Sequence, residues 1–110
     1  MARPLSPPLS ATATVPTQLG GRYLQQLCKH WSHSLAVEFG SQHGTVVFPK
    51  DVRGADYPGD ARVTFDAGEA SLAVRIDASS PAQLEALKGV VVSHLDRFAF
   101  REAPLAFNWK

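Results

Sequence analysis

The hydrophobic period changes twice along this chain, and that alternation limits its fold more than any other feature. Leu24, Leu27, Cys28 and Trp31 recur at the spacing of one helical face. From Leu35 to Asp77 the repeat shortens to two residues, as in strands with one buried side. Helical spacing returns at Leu84, Leu87, Val91, Leu95 and Phe98. A helix, then strands, then a helix, each with a single apolar side, predicts an α+β domain built on one core.

Local signals set the limits of the elements. Ser10 to Val15 favours a strand that ends at Pro16, and Thr17 is the expected cap of the first helix. Gly20 and Gly21 weaken that helix's first turn. Leu35 to Phe39 and Thr45 to Phe48 read as a hairpin across a Gly-Ser-Gln-His-Gly turn. Pro49, Gly54, Pro58 and Gly59 predict a loop over 49–60. Arg62 to Asp66 and Ser71 to Asp77 form a second hairpin across Ala67-Gly68-Glu69.

The last helix is the best marked. Ser80 caps it, Pro81 suits its first position, and Gln83 completes a capping box. Gly89 within it costs about 1 kcal/mol against alanine, which the cap and the stripe outweigh. Pro104 ends the pattern, and Leu105 to Trp109 reads as a closing strand. The expected order is strand, helix, four strands, helix, strand. Hairpin-joined strands are antiparallel, and single apolar stripes place both helices on one face of the antiparallel sheet. The order is similar to the TATA-binding-protein-like architecture, which hosts many unrelated activities and so argues no function.

Length and charge narrow the function classes. The 110 residues suit one domain, with residues 1–10, rich in proline, as a mobile tail and 11–110 as the folded unit. Eleven basic against ten acidic residues leave no basic stripe for nucleic acid. The single cysteine allows no internal disulfide framework and fits a reducing compartment. No secretory signal and no apolar run near the ~18 residues of a membrane helix is visible. The expectation is a cytoplasmic domain that binds neither nucleic acid nor membrane.

The residues suited to metal ligation or proton transfer lie in the helices. In projection, Cys28 and His30 are about 200° apart and cannot share an ion within a regular helix. His30 and His33 are only about 60° apart and converge if the helix persists that far. Cys28, in the apolar stripe, reads as a small buried hydrophobe. His94 lies at the edge of the second stripe, either as a satisfied core-edge residue or as a ligand or proton-transfer group. Side-by-side helices would bring it to His30 or His33 as a third metal ligand. His43 reads as a solvated turn residue. Arg97, Arg101 and Glu102, clustered with Phe98 and Phe100, form either a solvated charged end or an anion-binding patch. Arg22 and Tyr23 share that ambiguity. Neither H-E-x-x-H, paired C-x-x-C, G-x-S-x-G nor a Walker loop occurs.

Three blocks carry a family resemblance: Arg22-Tyr23-Leu24-Gln25-Gln26-Leu27-Cys28-Lys29-His30-Trp31-Ser32-His33, Gly44 to Phe48, and His94-Leu95-Asp96-Arg97-Phe98-Ala99-Phe100-Arg101-Glu102. Over roughly residues 11–109 the chain resembles the small bacterial family designated domain of unknown function 2218, with a longer stretch at 49–60. Some relatives are joined to siderophore-interacting flavin reductase modules. The resemblance therefore implies an accessory role in iron or siderophore handling, with such a reductase as partner. It points to His30, His33 and His94 as ligands of a divalent metal ion, and to Arg22, Tyr23 and Arg101 beside His94 as ligand-binding residues.

Three functions follow as expectations. The first is a non-catalytic binding module for a metal ion or an iron-linked small ligand. The second is an assembly module, homo-oligomeric or with another protein, that pairs through a strand edge or through Leu105, Phe107 and Trp109. The third, ranked last for want of a nucleophile or carboxylate partner, is an enzyme with His94 as general base.

Overall fold

In a computed structural model of the chain, which describes residues 9–110, three side-chain rows knit the sheet to its helices. Ala13, Val74, Phe65 and Gly44 face one another across four strands, as do Ala11, Ile76, Val63 and Val46. Val15 and Leu72 form a third row. All of these are buried, and each large apolar side chain removed from water contributes about 1.5–3 kcal/mol.

The elements in order are β1 (Ser10–Pro16), α1 (Gly20–Trp31), β2 (Ala36–Phe39), β3 (His43–Phe48), β4 (Ala61–Ala67), β5 (Ser71–Asp77) and α2 (Pro81–Phe98). They form a five-stranded sheet, β1-β5-β4-β3-β2, with every neighbour antiparallel. Leu24, Leu27 and Cys28 of α1 and Leu84, Leu87, Val91 and Leu95 of α2 join the inward rows in one core. The α+β class, with both helices on the same face, is thus the observed architecture. The opposite face carries Thr12, Arg75, Thr64 and Thr45 toward water, as an antiparallel sheet allows.

Glycines decide how closely α1 lies on the sheet. A Cβ on Gly44 would sit 2.7 Å from the Cys28 Sγ, so the thiol fills the gap in the first row. A Cβ on Gly21 would approach the Ser41 carbonyl to 2.8 Å. The helix therefore starts at Gly20, later than Thr17 suggests. The Thr17 hydroxyl instead accepts from the Leu19 N–H at 3.1 Å, bridging strand and helix.

At the other end α1 stops at Trp31. Ser32 donates its hydroxyl to the Lys29 carbonyl, a local bond that competes with continued helix. The Ser34 and Leu35 N–H groups then turn back to the Trp31 carbonyl.

The start of α2 holds the 49–60 segment in place. The Ser80 hydroxyl accepts from the Gln83 N–H at 3.1 Å, as a capping residue should. The reciprocal arm lands one residue earlier than the capping box predicts, since the Gln83 Oε1 accepts from the Ser79 N–H at 2.6 Å. The Gln83 Nε2 donates to the Gly59 carbonyl, and the Gly59 N–H donates to the Ser79 hydroxyl. Gln83 is 1% exposed, so these bonds are what make its burial tolerable.

Two expectations change at the termini. The closing strand is not formed. Leu105, Phe107 and Trp109 do turn inward, but bonding to β1 reduces to the reciprocal pair between Thr12 and Lys110. The TATA-binding-protein-like order therefore lacks its final strand. The expected tail at 1–10 falls largely on residues 1–8, outside the described residues. Leu9 is already tied in, its carbonyl accepting from the Ala78 N–H at 2.7 Å.

Candidate functional site

The last turn of α1 meets the last turns of α2 along a ladder of rings. Trp31 and His94 have centroids 5.2 Å apart, His94 and His30 5.7 Å, and His30 and Phe98 5.8 Å. His94 and Phe98 share one face of α2 because they are four residues apart. The His94 Nδ1 lies 2.8 Å from the Val90 carbonyl oxygen. A carbonyl can only accept, so Nδ1 carries a proton, and in the neutral form of the ring the lone pair lies on Nε2.

At the Trp31 end the ladder opens into a cleft of about 170 Å³ between α1, α2 and the 49–60 segment. Trp31, Phe48, Leu87 and Val90 supply apolar walls, and Ser34, Arg53, Tyr57, Gln83 and His94 supply the polar groups. Trp31 packs edge-on against Phe48, with centroids 5.1 Å apart, which holds the wall rigid. Arg53 adopts φ 54° and ψ 36°, a left-handed conformation that costs a non-glycine residue about 1–3 kcal/mol and clusters at ligand clamps.

The three-imidazole arrangement is only partly assembled. His30 and His94 meet, but α1 ends before His33, which stands exposed in the following turn. The convergence of His30 with His33 required the helix to continue. Cys28 is fully buried in the core, and that burial pushes its thiol up to about 11. Among the described residues no group of three or more His, Cys, Asp or Glu side chains is placed to hold a metal ion. Two imidazoles fall short of the four ligands of structural zinc and the three of catalytic zinc.

Arg22, Tyr23 and Arg101 do come together, but apart from His94. They line a groove of about 260 Å³ with Gln26, Phe98, Phe100 and Glu102, where the first turns of α1 meet the chain after α2. The Glu102 Oε1 accepts from the Tyr23 hydroxyl and, at 2.8 Å, from the Thr17 hydroxyl. Burial, then the bond to Glu102, raises the Tyr23 pKa above its ordinary value; Arg22 and Arg101 pull it the other way. His43, the first residue of β3, pairs with Asp66 at 2.6 Å, and both are well exposed, so the pair contributes little.

Arg53, Tyr57 and Gln83 were not singled out from the sequence as site residues. Gln83 carries a visible signal as a helix cap. The other two lie in an irregular segment with no periodic pattern, and only the tertiary fold brings them to His94.

Residues 12–110 match the family described as an uncharacterized protein conserved in bacteria, DUF2218. The chain belongs to that family. PA4090 from Pseudomonas aeruginosa, whose structure was determined by NMR, is similar in fold. Its TM-score is 0.71 at 25% identity, covering 94% of this chain and 96% of that one. No curated protein matches the chain. Among the described residues no helix of this DUF2218 domain is long and apolar enough to cross a membrane.

Proposed function

We propose that this domain is a non-catalytic binding module whose ligand occupies the cleft beside His94. The observation that carries the reading is the cleft itself, with aromatic and aliphatic walls and five polar side chains in its lining, Ser34 among them. Largely apolar concavities with a few convergent polar groups are the usual form of small-molecule sites. A cavity on the order of 150 Å³ holds a benzene ring, so about 170 Å³ selects a single ring or a short branched chain. Trp31 and Phe48 would form one aromatic wall against the ring, and the His94 Nε2 would accept one hydrogen bond from it. The accessory role in iron or siderophore handling implied by the family resemblance then narrows, since one ring-bearing arm fits and a whole siderophore does not.

Titration with 4-methylphenol, followed by NMR, tests this reading. Shifts are expected at the Trp31 indole and the His94 ring, and Ala86→Trp, an exposed position on the cleft's lining, should abolish them. Shifts spread over the surface, or unchanged in the filled variant, would contradict it.

A metal ion held by His30 and His94 is a second reading. Their ring separation of 5.7 Å favours it. Imidazoles sharing one tetrahedral ion, at Zn–N distances of about 2.0–2.1 Å, place their centroids on the order of 5 Å apart. Zn²⁺ or Ni²⁺ should then raise the melting temperature of wild type but not of His30→Ala. The assembly reading has less support, because Leu105 is buried and Phe107 and Trp109 pack on the domain's own core.

A further inference from the structure

The groove at the other end of the seam is assembled from residues the cleft does not use. Its chemistry is uneven. Glu102 is turned to Tyr23 and Thr17, and among the described residues neither Arg22 nor Arg101 forms an ion pair. Two guanidinium groups thus stand against one carboxylate whose Oε1 accepts hydrogen bonds from two hydroxyls. Beside them Phe100 is 70% exposed, the highest exposure among the large apolar residues described. The Arg101 guanidinium lies 5.7 Å from its ring centroid. Positive charge is therefore placed next to a bare aromatic face, in a concavity of about 260 Å³.

We infer that this groove is a separate site for a small aromatic anion, a carboxylate or phosphate attached to one flat ring. Guanidinium groups present planar forks of N–H donors that match carboxylate and phosphate oxygens, and they also stack on rings. The ligand's acidic group bonds Arg22 and Arg101, and its ring lies on Phe100 and Phe98. Gln26 adds a neutral donor at the margin. Glu102 is turned to the Tyr23 and Thr17 hydroxyls through Oε1, and neither arginine is paired with it. The site differs from the cleft in the ligand it selects, since the cleft takes an uncharged apolar body and the groove requires the negative charge.

Titration of the whole domain with benzoate, phenyl phosphate, inorganic phosphate and benzyl alcohol, followed by NMR, tests the assignment. The two aromatic anions should shift the Arg22 and Arg101 side-chain N–H groups and the Phe100 ring, more weakly at high salt. Their relative affinities distinguish carboxylate from phosphate as the preferred acid. Arg22→Gln and Arg101→Gln should each weaken binding at least tenfold, and Phe100→Ala should reduce phenyl phosphate to the level of inorganic phosphate. All three side chains are exposed, so melting temperatures should stay at the wild-type value and separate lost binding from lost folding. Ala86→Trp, at an exposed position away from the groove, should leave groove binding unchanged, whatever becomes of the cleft. Equal shifts with benzyl alcohol, unaltered affinity in both glutamine variants, or no shift at millimolar anion would overturn the inference.

Discussion

Cys28 and Gly44 make one joint in the core, and each explains the other. The thiol fills the space a side chain on residue 44 would need, so Gly44→Ala should destabilise the fold by about 1–3 kcal/mol, the usual range for overpacking. Thermal denaturation of Gly44→Ala, Cys28→Ala and the double variant should show that the two losses do not add, since the second change removes the clash. The same burial governs ionisation. The folded pKa of about 11 lies above the ordinary 9.0, so the stability gained from a protonated thiol is complete below about pH 9 and is lost as pH rises toward 11. Native protein at pH 8 should therefore resist a thiol reagent that labels the unfolded chain at once. Cys28 was readable from its place in the apolar stripe. His33 was not, because the helix end depends on Ser32 bonding backward and on the chain turning into β2.

Helix α2 and the 49–60 segment stand or fall together through Gln83. Replacing it with alanine removes the acceptor of the Ser79 N–H and one of two donors to the Gly59 carbonyl, which keeps the Ser79 hydroxyl; each lost hydrogen bond costs about 0.5–1.5 kcal/mol. Gln83→Ala should lower the melting temperature more than Ser80→Ala, which removes one cap worth about 1 kcal/mol. It should also speed amide exchange at Gly59 and weaken any ligand of the cleft, because one wall is then untethered. A variant with unchanged Gly59 exchange would show that the tether lies elsewhere. The cap itself was legible in Ser80, Pro81 and Gln83, as were the paired strands in their alternation. The irregular C-terminal run was misread because its inward residues keep a strand's period while most of its backbone bonds are absent.

Across the whole molecule, periodicity was enough to give the class, the antiparallel sheet and the common face of the helices. It could not give the sites. The cleft joins the end of α1, the loop after β3 and the middle of α2, and the groove joins Arg22 to Arg101 across most of the chain. No local pattern records such meetings, so His94 was grouped with arginines that the fold places at the other end of the seam. That separation carries a prediction. An uncharged single-ring compound and an aromatic anion should bind together without competing, each displaced only by changes at its own end. Mutual exclusion in a mixed titration would mean one shared site.

The most direct test is a bound structure of the domain with 4-methylphenol, alongside the Ala86→Trp variant treated in the same way. The ring should lie against the wall formed by Trp31 and Phe48 with its hydroxyl on the His94 Nε2, and the variant should hold no ligand there. A ring seated outside the cleft, or still against that wall in the filled variant, would contradict the binding-module reading.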